Sequence, residues 1–157
     1  MGKKLEQARF MATHGQEMTV FMVGMRINKF WAVHKWFPVF MAMGPMLREL
    51  YTHKELGFLS TETLMGWRTV TLIQYWNSKD QLYAYAKGQE HMKAWKNFYQ
   101  KAAKSEAVGI FHETYAVAPG TYETIYNRMP AFGLSKAIGV QPVGKKMETA
   151  SDRLKAQ

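Results

Sequence analysis

The sequence contains no cysteine. That excludes disulfides, zinc–thiolate centres, iron–sulfur clusters and thiol nucleophiles, and it suits a cytoplasmic protein. Acidic residues are sparse: 12 Asp and Glu stand against 21 Lys and Arg, for a formal net charge of +9. Long apolar runs are also lacking. The stretch from Phe37 to Met46 comes nearest, and it is too short and too interrupted to span a bilayer. The charged opening MGKKLEQARF leads into no apolar run, so neither a signal peptide nor an integral membrane segment is expected. His-rich metal spacing, a HExxH pair, a Ser-His-Asp order, a phosphate-cradling Gly loop and a dinucleotide fingerprint are all missing.

The basic balance raises the question of nucleic acid. The distribution argues against it. Lysines are scattered along helical segments and gathered at Lys3-Lys4 and Lys145-Lys146, with no Arg-rich run, helix-turn-helix pattern or RNA-binding strand signature. Solvated basic faces account for the charge, and no nucleic-acid function is expected. An acidic substrate or a contact with a membrane surface stays open.

Large apolar side chains are abundant. The 157 residues are 47% hydrophobic and 14% aromatic, with five Trp and twelve Met. That is enough for one domain with a real core and a surplus that suits an interface or an apolar pocket. Residues 1–16 read as a polar leader, 17–144 as a single domain ending in a wrap, and 145–157 as a basic, disordered tail.

Within the domain, Met18 to Ile27 is apolar and β-branched enough for a buried strand. Trp36, Phe40, Met43, Leu47 and Leu50 then recur at helical spacing within Trp31 to Leu56. Pro45 lies inside that helix and should kink or divide it. Phe58 to Leu64 and Trp67 to Trp76 read as two strands joined by a tight turn at Met65-Gly66. Ser78 is an N-cap, with Gln81 completing a capping box, for one helix from Lys79 to about Ala103. Ala107 to Val117 is a fourth strand and Tyr122 to Tyr126 a short fifth. The order β-α-β-β-α-β with an extra strand predicts an α+β, ferredoxin-like fold. Both helices would cover one sheet face. The other face is apolar too, and a second copy of the chain is the simplest cover, giving a dimeric α/β barrel.

On the second helix, Leu82, Tyr85, Gln89, Met92, Trp95 and Tyr99 form the expected core stripe. His91 lies to one side of it, in line with Ala84, Gly88 and Phe98. A mid-helix Gly costs roughly 1 kcal/mol relative to Ala, so Gly88 calls for a reason. Close approach of a flat, bulky group beside His91 is one, and simple packing beside a half-buried histidine is the other. An imidazole facing a cleft between helix and sheet suits axial ligation of haem iron. His112 and Glu113 alternate to opposite sheet faces and form no dyad; Glu113 would pair with Arg26 or Arg68. Arg26, Asn28 and Arg68 are candidate polar groups for an otherwise apolar pocket. His14, His34 and His53 read as surface residues.

The run from Tyr75 to Val117, carrying YW-S, H-x-x-x-W-x-x-F and GIFHETYAV, and the later YETIYNRMPAFGLSKA resemble a family of small proteins related to a monooxygenase of the fungal fumagillin pathway. The resemblance covers roughly Thr19 to Val143. It implies the dimeric α/β-barrel superfamily, which also holds antibiotic-biosynthesis monooxygenases, haem-degrading monooxygenases and aldoxime dehydratases. A more distant likeness to the haem-containing aldoxime dehydratases puts His91 at their proximal ligand and His112-Glu113 at a similar His-Glu pair. Those enzymes are about twice as long, and their distal catalytic residues have no counterpart here, so aldoxime dehydration does not carry over. What the resemblance implies is a homodimer binding haem b through His91, with Ala84, Gly88, Trp95 and Phe98 around it. Monooxygenase-like oxidation of a small apolar molecule would follow, with Arg26, Asn28, Arg68 and His112 as polar groups. The alternatives are a cofactor-free monooxygenase and a non-catalytic haem or lipophile carrier.

Overall fold

The computed structural model describes residues 8–13, 15–101 and 104–156, with side chains for all but Glu90, Ala94, Tyr99 and Lys101. His14, the Lys3-Lys4 pair, Ala103 and the side chain of Tyr99 therefore lie outside the described residues. The strands are β1 (Phe10–Ala12), β2 (Met18–Ile27), β3 (Phe58–Met65), β4 (Thr69–Trp76), β5 (Val108–Val117) and β6 (Val140–Pro142). The helices are α1 (Val33–Thr52), α2 (Lys79–Ala86), α3 (Gln89–Lys101), α4 (Leu134–Ile138) and α5 (Ala150–Lys155). Four strands form one antiparallel sheet in the order β3-β4-β2-β5. This is the ferredoxin-like α+β arrangement that the strand–helix order predicts.

Alternation along β2 and β4 sends Met25, Val70 and Trp76 to the helix-covered face. There α1 lays down the whole predicted stripe. Trp36, Phe40 and Met43 pack against Met25, Val70 and Val108, while Leu47 and Leu50 pack with Phe58, Trp76 and Leu82. The helix continues unbroken past Pro38 and Pro45. A proline inside a helix forfeits one backbone hydrogen bond, and the apolar seam on both core clusters outweighs that loss here.

The second helix departs from expectation. It stops at Ala86 and restarts at Gln89. Gly88 N–H bonds back to the Tyr85 carbonyl at 2.8 Å, a three-residue closure, and a Cβ on Gly88 would lie 2.9 Å from that same oxygen. The break changes the phase of the stripe. Leu82 and Tyr85 on α2 reach the core, whereas on α3 Met92 is 50% exposed and Trp95 39%. Ser78 Oγ accepts from Gln81 N–H at 3.3 Å, but the Gln81 side chain lies against Gly57, so the expected capping box is only half made. Gly57 sits at φ +83, and its missing Cβ is what lets Gln81 cross it.

The ends of the chain also differ from expectation. Phe10–Ala12, expected in a polar leader, is a buried strand paired with β6, and Met11 has no exposed surface. Tyr122–Tyr126 forms no strand; a single bridge joins Tyr126 to Phe10. The tail, expected to be disordered, carries α5 with a complete capping box at Thr149 and Asp152. Its Arg153 is buried against Glu123 at 2.7 Å and donates to the carbonyls of Met147 and Glu148. Part of the second sheet face is thus covered by the chain itself, where Ala12, Met18 and Leu134 pack with Tyr75, Val117 and Ile138. Phe111 and Tyr115, further along that face, stay exposed.

The YNRMPAFGLSKA segment fastens this wrap to the sheet. Glu62 of β3, almost buried, accepts from Gly133 N–H at 3.1 Å and from Lys136 Nζ at 3.2 Å. Lys136 also donates to the Thr61 carbonyl at 2.7 Å. Gly133 sits at φ +56, where a Cβ would meet the Tyr75 hydroxyl at 3.0 Å.

Candidate functional site

The C-terminal end of α1, the Lys54–Leu56 turn, α2 and the start of α3 enclose a cleft of about 260 Å³. Its lining includes Glu49, Gln81, Ala84, Tyr85, Gly88 and His91. Across the break at Gly88, Ala84, Gly88 and His91 face this cleft together, and the imidazole of His91 stands 5.7 Å from the Tyr85 ring, edge to face. Tyr85 donates its hydroxyl to Glu49 Oε2 at 3.2 Å and packs its ring on buried Trp76.

His91 is half-buried, and burial lowers its pKa below the usual histidine value; Glu49 acts the other way, and His112 adds to the lowering. The imidazole is therefore held in its neutral form, a lone pair available as metal ligand or base. His112 stands on β5 opposite Val23, its ring 5.7 Å from Phe21. It points to the helix side, while Glu113 points to the other face and accepts from the Tyr115 hydroxyl. The two are split as alternation requires, and Glu113 takes Tyr115 in place of the expected arginines.

Of the expected pocket residues, His91, Ala84 and Gly88 come together, while His112 lies outside the lining and acts on His91 through its charge. Phe98 belongs to the sheet-side core around Met25, with Trp95 5.8 Å from it. Arg26, Asn28 and Arg68 are placed elsewhere. Arg68 donates to the Asn28 carbonyl at 3.2 Å and lies over the Phe30 ring at 5.0 Å. Arg26 is exposed on the face away from the helices. These three sit beside the start of α1 and His91 beside its end. Val33 and Glu49 are on the order of 25 Å apart along the axis at 1.5 Å per residue. The arginines are therefore not distal groups for His91. Sequence reasoning missed Glu49, because a lone carboxylate on a helix carries no signal until Tyr85 and His91 are folded against it.

Among the described residues no group of His, Asp and Glu is arranged to hold a metal ion by itself, and no helix is long and apolar enough to cross a membrane.

A ferredoxin-like sheet, a broken second helix and a helix histidine beside a small cleft define a class of α+β protein with a helix-side pocket. The chain belongs to the monooxygenase af470-like family, whose profile matches residues 18–134. No curated protein matches it. Among solved structures it is similar to an aldoxime dehydratase, at 15% identity and TM-score 0.68, over 90% of this chain and 44% of that one. A second aldoxime dehydratase, OxdRE in complex with butyraldoxime, aligns at 12% identity and TM-score 0.63 over 82% of this chain and 42% of that one. SnoaB, a cofactor-independent oxygenase from Streptomyces nogalater, aligns at 10% identity and TM-score 0.46 over 64% of this chain and 92% of that one. At such identities the dehydratase likeness shows the fold, and the chain spans less than half of those enzymes' length.

Proposed function

We propose that this monooxygenase-family protein is an oxidoreductase acting on a small apolar organic molecule, with haem b ligated by His91. The observation that carries the reading is the half-buried imidazole of His91 facing the cleft beside two residues without bulk, Ala84 and Gly88. Among the lining residues His91, Ala84 and Gly88 suit the group. His91 supplies a ring nitrogen, and Ala84 and Gly88 add little bulk beside it, while Phe98 stays in the sheet-side core and Trp95 stands outside the cleft. Haem iron would supply activation of oxygen or peroxide. The chain's own contribution is orientation. Tyr85, fixed by Glu49, sets the His91 ring edge-on, and Glu49, Gln81 and Gln89 are polar groups of the cleft lining in reach of a substrate. The same reading takes the open part of the second sheet face, with Phe111 and Tyr115, as the seat of a second copy in a homodimer.

A second reading drops the metal. The cleft's volume is slightly below the ~300–1,000 Å³ of common ligand pockets, and Glu49 and Glu55 among its lining are unusual beside a porphyrin. In that reading neutral His91 is the general base that takes a proton from the substrate, which itself reacts with oxygen.

Haemin titration separates the two. Full-length protein should develop a Soret band that His91→Ala abolishes and Met92→Ala, on the exposed side of α3, retains. Protein that stays colourless in excess haemin removes the haem reading and favours the second. A carrier would hold haem without turning over oxygen or peroxide.

A further inference from the structure

The strongest unassigned feature lies at the opposite end of the sheet from the His91 cleft. Trp67, on the β3–β4 turn, is 87% exposed, and Trp31, in the loop leading into α1, is 77% exposed. Met65, beside Trp67, is 72% exposed, and Phe37 on the second turn of α1 is 47% exposed. Isolated exposed hydrophobics are ordinary, but a cluster with two nearly bare tryptophans is not.

The cluster is also ordered. The Phe30 ring stands edge-on to Trp67 at 5.8 Å, and Arg68 lies 5.0 Å over its face. Trp36 Nε1–H holds the Phe30 carbonyl at 3.1 Å, and Arg68 holds that of Asn28 at 3.2 Å. Loop and turn are thus tied to each other, and little further ordering is needed for the rings to dock.

The charge around it is positive. Arg26 and Arg68 flank the turn, and Lys29 and Lys35 flank the loop. Glu106 offsets one of them through its ion pair with Lys29 at 3.2 Å. The whole chain carries +9. Amphipathic Trp rings flanked by Arg and Lys match the headgroup region of a bilayer, where indole sits at the interface and basic residues face anionic phosphates.

We propose that this tip docks on the surface of an anionic lipid bilayer, lodging Trp31 and Trp67 among the headgroups. The His91 cleft, at the other end of α1, then stays open to solvent.

Vesicle co-sedimentation and tryptophan emission of the full chain test this. Phosphatidylcholine vesicles containing phosphatidylglycerol should bind the protein, shift its emission to the blue and release it as salt rises. Trp31→Ser and Trp67→Ser should each weaken binding about ten-fold, as expected for an apolar side chain left in water. Lys35→Glu should weaken it about five-fold or more, the loss for at least one basic residue near an anionic surface. His91→Ala should leave binding unchanged. Three outcomes overturn the proposal: no binding to anionic vesicles; binding that survives both Trp substitutions and depends instead on Lys3-Lys4 or Lys145-Lys146; or a Trp31→Ser/Trp67→Ser variant whose one change is a smaller oligomer, which would make the tip a contact between copies.

Discussion

Replacing Lys136 by methionine tests whether the C-terminal wrap is held to the sheet by the contact with Glu62. Methionine keeps the stem and removes the ammonium. Glu62, whose side chain is 10% exposed, would keep only the Gly133 N–H, and the Thr61 carbonyl would lose its donor. Breaking a fully buried pair costs about 3–5 kcal/mol. The Lys136 side chain keeps 32% of its exposure, so solvent screening lowers the expected loss to about 2 kcal/mol. In a domain of this size each kcal/mol moves the midpoint by roughly 2–4 °C, which gives about 4–8 °C. Circular dichroism melts at neutral pH provide the measurement. Glu62→Gln keeps an acceptor for Gly133, so it should lose less, and the double variant should lose less than the sum of the two. A Lys136→Met protein melting within about 1 °C of wild type, below the shift expected from even one kcal/mol, would show that the wrap is held by apolar packing alone.

Two pH predictions follow from burial. In apo protein, the His91 ring followed by proton NMR should titrate below the ordinary histidine range. Glu49→Gln removes a charge that raises its pKa and should push the midpoint lower, whereas His112→Gln should raise it; an upward shift in Glu49→Gln would refute the geometry around His91. Tyr75 is pushed up to about 12, first by burial and then by Tyr126 and Glu62. Its folded-state pKa lies above the unfolded value near 10, so the native state holds the proton longer. Its contribution is complete below pH 10 and is lost between about 10 and 12. Tyr75→Phe has no proton there to lose, so its denaturant midpoint should fall less steeply across that window; equal slopes would refute the assignment.

The sheet and α1 were legible because each carries its period in the chain. Met18 to Ile27 reads as a strand, and the stripe from Trp36 to Leu50 is the surface that α1 buries. The second helix was legible up to Gly88 and misleading after it. A helical wheel assumes one continuous phase, and a single three-residue closure disturbs it, leaving Met92 and Trp95 outward. The ends were misjudged for a different reason. Phe10–Ala12 and Val140–Pro142 are three residues each, too short for periodicity, and each is a strand only because the other is present. For the site, His91, Ala84 and Gly88 share one face across the break and could be found by spacing. Glu49 could not, because its partners lie 36 and more residues away. Arg26, Asn28 and Arg68 fit the expected chemistry but lie at the wrong end of α1, and distance along a fold is not written in residue type.

The pairing of β1 with β6 joins Phe10–Ala12 to Val140–Pro142, segments far apart in the chain. During synthesis that short ladder can close only after residue 142 has left the ribosome, long after the four-stranded sheet has all its strands. Before Leu134 to Ile138 emerge, Met18 and Tyr75 would present their face uncovered. A nascent chain stalled before that point would therefore expose apolar surface that the finished protein hides, and it would be the species most exposed to chaperones and to aggregation.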